Sequence, residues 1–219
     1  MSPIPYVTVW ITDPLARVHT NPYGLCMSKP RLSPDDWIFA GFNALAELGP
    51  TALKAEVLAR RLGSSKGSFY WHFPDVPGFH AAMMQLWEQR AVTDIISTLA
   101  SLPDPRDRLR ALAQIAREKP AELDPTQPAE SAIRAWGRSV PLVRQTVDRI
   151  DARRLAYLES LFVEAGIPAK PYSGMIYAAL IGLDDLSGGE AQPADTLAQL
   201  VDLILEKFPA EPARQADQT

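Results

Sequence analysis

With 219 residues, 47% of them hydrophobic and 22% charged, the chain can bury one sizeable core, or a small module and a larger one, and is too apolar for wholesale disorder. A single cysteine, Cys26, excludes a disulfide framework and a four-cysteine metal site, and predicts a reducing, cytoplasmic location. The formal net charge of −4 argues, taken whole, against a nucleic-acid partner, and the longest strongly apolar run, Met175 to Leu183, stops well short of the roughly 20 residues of a bilayer span.

Residues 1–27 lack helical periodicity. They are either an irregular arm or an untranslated stretch ahead of a start at Met27, and they carry no basic segment of the kind that opens a secretory signal. Beyond them the prolines, twenty in the whole chain, act as punctuation, because proline fixes φ and lacks an N–H. Ser33-Pro34 opens and Gly49 closes a first amphipathic helix with Trp37, Ile38, Phe42, Leu45 and Leu48 on its apolar stripe. Leu53, Val57, Leu58 and Leu62 predict a short second helix ended by Gly63, and Ser64 or Ser65 caps a third, which Pro74 ends. A long helix runs from Pro77 to about Ser101. Then come Asp107–Lys119, a loop over Pro120–Pro128, a helix from about Ala129 with Ile133 and Trp136, a long helix Leu142–Ala165, and two final helices, Tyr172–Leu186 and Thr196–Phe208. The DDLSGGEAQPAD stretch between the last two reads as a flexible acidic loop. No segment argues for a strand, so the fold class is all-α with about nine helices.

The informative stretch is LKAEVLARRLGSSKGSFYWHF, Leu53 to Phe73. Two short helices joined by a tight turn place the second in a DNA major groove when the first packs closely across it. Ala59 is small where the axes approach, Gly63 suits a left-handed turn, and Leu58, Leu62, Phe69 and Phe73 point inward. Lys66, Gly67, Ser68, Tyr70, Trp71 and His72 are left outward, with donors and flat rings for phosphates and base edges. Residues 51–73 hold Lys54, Arg60, Arg61 and Lys66 against Glu56 alone, a local balance of +3 against −7 elsewhere. A basic head on an acidic body suits groove binding by one end; a helical hairpin with a basic surface is the plainer alternative.

LARRLGSSKGSFYWHF, preceded by a helix ending ALAELG, resembles the N-terminal DNA-binding domain of the TetR family of transcriptional regulators over Ser33 to about Leu86. The helical remainder resembles, less specifically, the family's ligand-binding and dimerisation domain. The resemblance implies a three-helix helix-turn-helix domain over 28–76, a larger helical-bundle regulatory domain over 77–208 and a tail over 209–219. The implied function is a ligand-responsive regulator, a repressor, that binds a near-palindromic operator on double-stranded DNA as a homodimer and releases it on binding a small-molecule effector. Carried over by position, the DNA-binding residues are Lys54, Ser64, Ser65, Lys66, Gly67, Ser68, Tyr70, Trp71 and His72. Lys54 stands where Thr often caps the helix, and the PDVPGF turn after Phe73 lacks the usual Lys or Arg, so one phosphate anchor per subunit is missing.

A pocket in a helical bundle needs aromatic and flexible apolar walls with a few polar groups. Trp87, Trp136, Tyr157, Phe162, Met175 and Tyr177 are candidates, each equally a candidate for plain core; buried Arg134, Arg138 or Asp151 would define the ligand's chemistry. The small residues Gly174, Ala178, Ala179 and Gly182 predict close packing of the penultimate helix in a four-helix dimer interface. Three histidines, one cysteine and the absence of HExxH, GxSxG or a glycine-rich phosphate loop give no sign of an enzyme, and no metal or cofactor is expected. The rival reading is a dimeric small-molecule-binding protein of the same fold with weakened or lost DNA binding.

Overall fold

The computed structural model describes residues 31–117, 125–126, 128–187 and 196–209. The chain divides into Met1–Arg31 and Leu32–Thr219, and the second unit is described below. The N-terminal arm, most of the 118–128 loop, the acidic loop beyond Ser187 and the tail beyond Pro209 lie outside the described residues.

Nine helices, and no strand, occur among the described residues. They are α1 (Pro34–Leu48), α2 (Ala55–Arg61), α3 (Lys66–His72), α4 (Val76–Glu88, continued by a π-helical stretch Gln89–Asp94 and by Ile95–Leu99), α5 (Pro105–Arg117), α6 (Glu130–Gly137), α7 (Pro141–Glu164), α8 (Ala169–Ser187) and α9 (Thr196–Lys207). A 3₁₀ turn, Pro50–Ala52, joins α1 to α2.

Local chemistry sets the ends. Ser33 and Asp36 form a capping box at α1: Asp36 N donates to Ser33 Oγ at 3.2 Å and Ser33 N to Asp36 Oδ2 at 2.7 Å, with Pro34 in the first turn. Trp37, Ile38, Phe42 and Leu45 are buried as their spacing predicts, whereas Leu48 is 62% exposed. Leu48 occupies the last turn before Gly49, where no helix among the described residues covers the stripe.

The head core is aromatic. Trp37 and Phe79 pack on Phe69 edge-to-face at 5.5 and 5.2 Å, and Phe73 meets Phe79 at 5.0 Å, geometries that rings prefer over face-to-face stacking. A Cβ on Gly41 would lie 2.7 Å from the Phe79 ring, so glycine is what lets α1 and α4 approach this closely. The apolar core then continues without a break into the body: Trp87 and Val92 of α4, Ile133 and Trp136 of α6, and Val143, Val147 and Ile150 of α7 belong to the same cluster. A second cluster joins α5, α7, α8 and α9 through Leu109, Leu158, Leu161, Phe162, Ile176, Val201 and Ile204.

Outside these cores α4 is clamped to α7 by charge. Glu88 accepts from Arg149 at 2.6 Å and from Arg153 at 3.0 Å, and the two guanidiniums hold its carboxyl below the usual carboxylate range.

His80 sits where head meets body. Its ring packs edge-to-face on Trp136 at 4.8 Å, it hydrogen-bonds the Leu53 backbone, and Nε2 is buried without a partner. Burial holds its pKa below the ordinary 6.5. As pH falls through about 6.5 the unfolded chain therefore gains a proton that the folded chain does not, and stability drops until the folded form also protonates. Chemical denaturation at pH 7.5 and 5.5 is expected to show wild type losing stability by at most about 1.4 kcal/mol per pH unit from this group. His80→Gln is expected to lack that component; an identical pH slope in both proteins contradicts the assignment.

Candidate nucleic-acid interface and body cavity

The turn between α2 and α3 is built from backbone geometry. Gly63 takes φ 59°, in the left-handed region that favours glycine. Gly63 N donates to Arg60 O at 3.2 Å and Ser64 N to Ala59 O at 2.8 Å, the paired bonds of a Schellman ending, which satisfy carbonyls at the end of α2. Ala59, 4% exposed, and Leu58, fully buried, form its inner face. Ser65 caps α3, its Oγ accepting from Ser68 N at 3.1 Å. Phe69 is then driven into the head core, so the rest of α3 faces outward.

Every residue expected to meet DNA falls on this segment. Ser65, Lys66, Gly67, Tyr70 and Trp71 are exposed, and Ser64, Ser68 and His72 are half-buried. Lys54 is exposed at the N-cap of α2 and makes no side-chain capping bond. Trp71 is 73% exposed and Tyr70 43%, a large display of aromatic surface for a seven-residue helix. Lys66 also lies 5.8 Å from the Tyr70 ring centroid.

Gly67 has no structural requirement for glycine: a Cβ there meets only Ser65 Oγ, at 3.7 Å. Glycine within a helix costs roughly 0.5–1 kcal/mol relative to alanine. Gly67→Ala is thus expected to raise the stability by about that amount while weakening duplex binding, since it adds a methyl on the outward surface. Thermal melts and duplex titrations of the one variant check both halves, and unchanged duplex affinity contradicts a close approach at this position.

The local charge of +3 is partly met within the head. Arg61 pairs with Glu47 through both terminal nitrogens, one bond measuring 2.8 Å, and Lys66 pairs with Glu56. Glu47 lies outside the 51–73 stretch. Lys54 also acts on Glu56, and the Lys66–Glu56 pair places the start of α3 beside the start of α2. In the turn after α3, Asp75 caps α4 by accepting from Gly78 N at 2.6 Å. This turn carries a capping carboxylate rather than a cation.

The second site is a cavity of about 110 Å³ in the body. α4 contributes Trp87, Ala91, Val92, Ile95 and Ile96 to its wall; α5 contributes Leu109, Leu112 and Ala113; α7 to α9 contribute Tyr157, Leu158, Ile176, Tyr177, Leu180, Leu197 and Val201. Of the aromatic candidates, Trp87, Tyr157 and Tyr177 are in the wall. Trp136 is in the head-side core against His80, Phe162 is in the second core, and Met175 is 48% exposed.

The polar end of the cavity is an ion network that joins Arg134 and Asp151, both singled out in the sequence, to Glu130 and Arg154. Glu130, its side chain 13% exposed, takes a bidentate pair from Arg154 at 2.7 and 3.0 Å and accepts from Arg134 at 2.9 Å. Arg134 in turn grips Asp151 at 2.7 and 3.0 Å, and Tyr177 Oη donates to Asp151 at 2.7 Å. Burial opposes ionisation of Glu130, but Arg154 and Arg134 outweigh it and hold its pKa near 2; burial is the largest cause raising Tyr177 to about 12. Both arginines are held above their ordinary value by these carboxylates despite burial. Arg138 is exposed. The i,i+4 spacing of Glu130 and Arg134 was the available signal for the pair; nothing in the sequence marked Arg154.

Arg154 also reaches α4, its Nε donating to Ala91 O at 3.1 Å. Ala91 lies in the π-helical stretch, and π turns open backbone carbonyls to side-chain donors. One side chain thereby touches the cavity wall, the buried carboxylate and the helix that leads to the head.

No family model matches the sequence, and no curated protein sequence matches it. Solved structures do match over most of their length. A candidate transcriptional regulator from Saccharomonospora viridis in complex with choline superposes with a TM-score of 0.68 at 16% identity, covering 82% of this chain and 98% of the other. A transcriptional regulator from a Rhodococcus species gives 0.65 at 19%, covering 83% and 100%. A TetR-family regulator from Agrobacterium tumefaciens gives 0.64 at 17%, covering 80% and 96%. The chain has the TetR-type fold. At such identities the likeness concerns the fold alone. Among the described residues no helix is long and apolar enough to cross a membrane.

Proposed function

We propose that this chain is a cytoplasmic, homodimeric transcriptional regulator of the TetR family, a repressor that reads a near-palindromic operator through α3 and releases it when a small molecule enters the body cavity. The observation that carries the reading is the outward face of α3: Lys66, Gly67, Tyr70 and Trp71 displayed on a helix anchored by the buried Phe69. Phosphate contacts by Lys54, Arg60 and Lys66 supply affinity, and Tyr70, Trp71 and His72 meet backbone or base edges.

The dimer is supported by α8 and α9. A Cβ added at Gly174 or Gly182 meets nothing within 4 Å, and Ala178, Met175, Leu186 and Leu203 are exposed. A helix face of small and apolar residues facing open space suits an isologous partner. The effector role is supported by the cavity; the S. viridis protein, solved with choline, shows that a chain of this fold holds a small molecule and does not set the charge of the one held here. Entry of a ligand against Trp87, Val92 and Ile95 shifts α4, and α4 changes the separation of the two heads. A ligand that binds tightly and leaves operator affinity unchanged contradicts this coupling.

The second reading, the same dimer without DNA binding, rests on the pairing of Lys66 with Glu56 and Arg61 with Glu47, and on Asp75 in the turn after α3. Anisotropy of a labelled duplex from the region upstream of the coding sequence, titrated with salt, separates the two. The regulator reading expects binding whose log K falls linearly with log salt, and Lys66→Ala to reduce that slope by about 1 across all sequences. No binding at low salt favours the second reading.

A further inference from the structure

We propose that the body cavity takes an uncharged, predominantly apolar molecule about the size of a single ring, and rejects its anionic and cationic isosteres. The inference rests on reading the cavity as the effector site and adds the ligand's chemical class.

Charge decides it. Arg154 commits all three guanidinium nitrogens, to Ala91 O and to both oxygens of Glu130. Arg134, behind it, likewise uses Nε and both terminal nitrogens on Glu130, Asp151 and Tyr177. Two carboxylates face two guanidiniums, so the network is neutral. Arg90, elsewhere on the wall, pairs with Asp94 at 3.7 Å, and Asp184 is engaged as well. An anion that took Arg154 would strand Glu130, and a cation that took Glu130 would strand two arginines. In either case a buried charge loses its partner, which costs more than the new pair returns. The Tyr177 hydroxyl donates to Asp151 and accepts from Arg134, so it too is committed within the network.

Shape agrees. Trp87, Val92, Leu109, Ala113, Leu158 and Val201 present carbon to the void. An apolar cavity of about 150 Å³ holds benzene, so the 110 Å³ here suits one ring or a chain of similar bulk.

The probes are toluene, benzoate and benzylamine at pH 7, where the last is protonated; they share a ring and differ in charge. Calorimetric titration of the full-length protein is expected to show toluene binding at least about tenfold tighter than either ion. Ala113→Phe, which fills the void from α5, is expected to abolish toluene binding while the circular dichroism stays native; should that variant fail to fold, Ala116→Leu, on the same wall, is expected to weaken it. Benzoate or benzylamine binding as tightly as toluene overturns the proposal. So does toluene binding that is unchanged in the filled variants, or no binding of toluene at all. Because the readout uses no DNA, failure here with duplex binding intact removes only the ligand class, whereas toluene uptake without duplex binding removes the regulator reading and leaves the ligand class standing.

Discussion

Glu130→Gln is expected to destabilise the folded protein by about 3–5 kcal/mol, the usual consequence of removing one partner from a buried ion network. Glu130 is the hub: among the described residues it is the only carboxylate on Arg154, and it shares Arg134 with Asp151. Glutamine keeps the shape and loses the charge, and its amide would turn a donor toward guanidiniums that are themselves donors. Two buried cations would then face one carboxylate. Denaturant unfolding at pH 7 checks the size of the loss. Since the Glu130 pKa is held near 2, wild type keeps this charge throughout the neutral range and well into acid. The double variant Glu130→Gln/Arg154→Met, which removes both partners, is expected to recover much of the loss, because coupled neighbours do not act additively. A single variant within about 1 kcal/mol of wild type contradicts the network's role.

The second large effect concerns assembly. Ala178→Arg places a long cation on the exposed, small-residue face of α8 and is expected to give a folded monomer whose affinity for an operator duplex falls by about 10²–10⁴-fold. That range is what a second, tethered binding head contributes through effective concentration. Light scattering after size-exclusion chromatography reads the mass, and anisotropy reads the affinity. A variant that stays dimeric places the interface elsewhere on the molecule; a monomer that binds the duplex as tightly as wild type contradicts the two-headed reading.

How much of this was legible beforehand depended on whether the signal was local. Helix ends were, because caps and terminators are short-range chemistry. Ser33-Pro34 opened α1, Ser65 capped α3 and Gly63 closed α2 where the sequence placed them. The outward set of α3 was legible for the same reason, since Phe69 alone fixes the helix rotation. What required tertiary neighbours was not. A tryptophan that lines a void and one that fills a core have the same periodicity, so Trp87 and Trp136 could not be told apart; the void exists only because α4, α5 and α7–α9 leave a gap. Met175 belongs to the apolar run of α8, yet that helix presents an open face. The π stretch Gln89–Asp94 contains neither proline nor glycine and left no compositional trace. Regional charge also misled in part: +3 was counted along the chain, whereas Glu47 reaches Arg61 across a separation of fourteen residues.

Selection from a pool of random duplexes with the full-length protein at low salt tests α3 directly as the DNA-reading surface. Enrichment of a near-palindromic sequence is expected, its half-sites centred about 34–36 Å apart, one helical turn, or a multiple of that. Loss of the enrichment is expected in Lys66→Ala/Trp71→Ala, a variant whose two substitutions lie on exposed positions of α3 and leave the head core untouched. A pool that returns no enriched sequence, or one enriched equally by the double variant, contradicts the assignment of α3 as the DNA-reading surface.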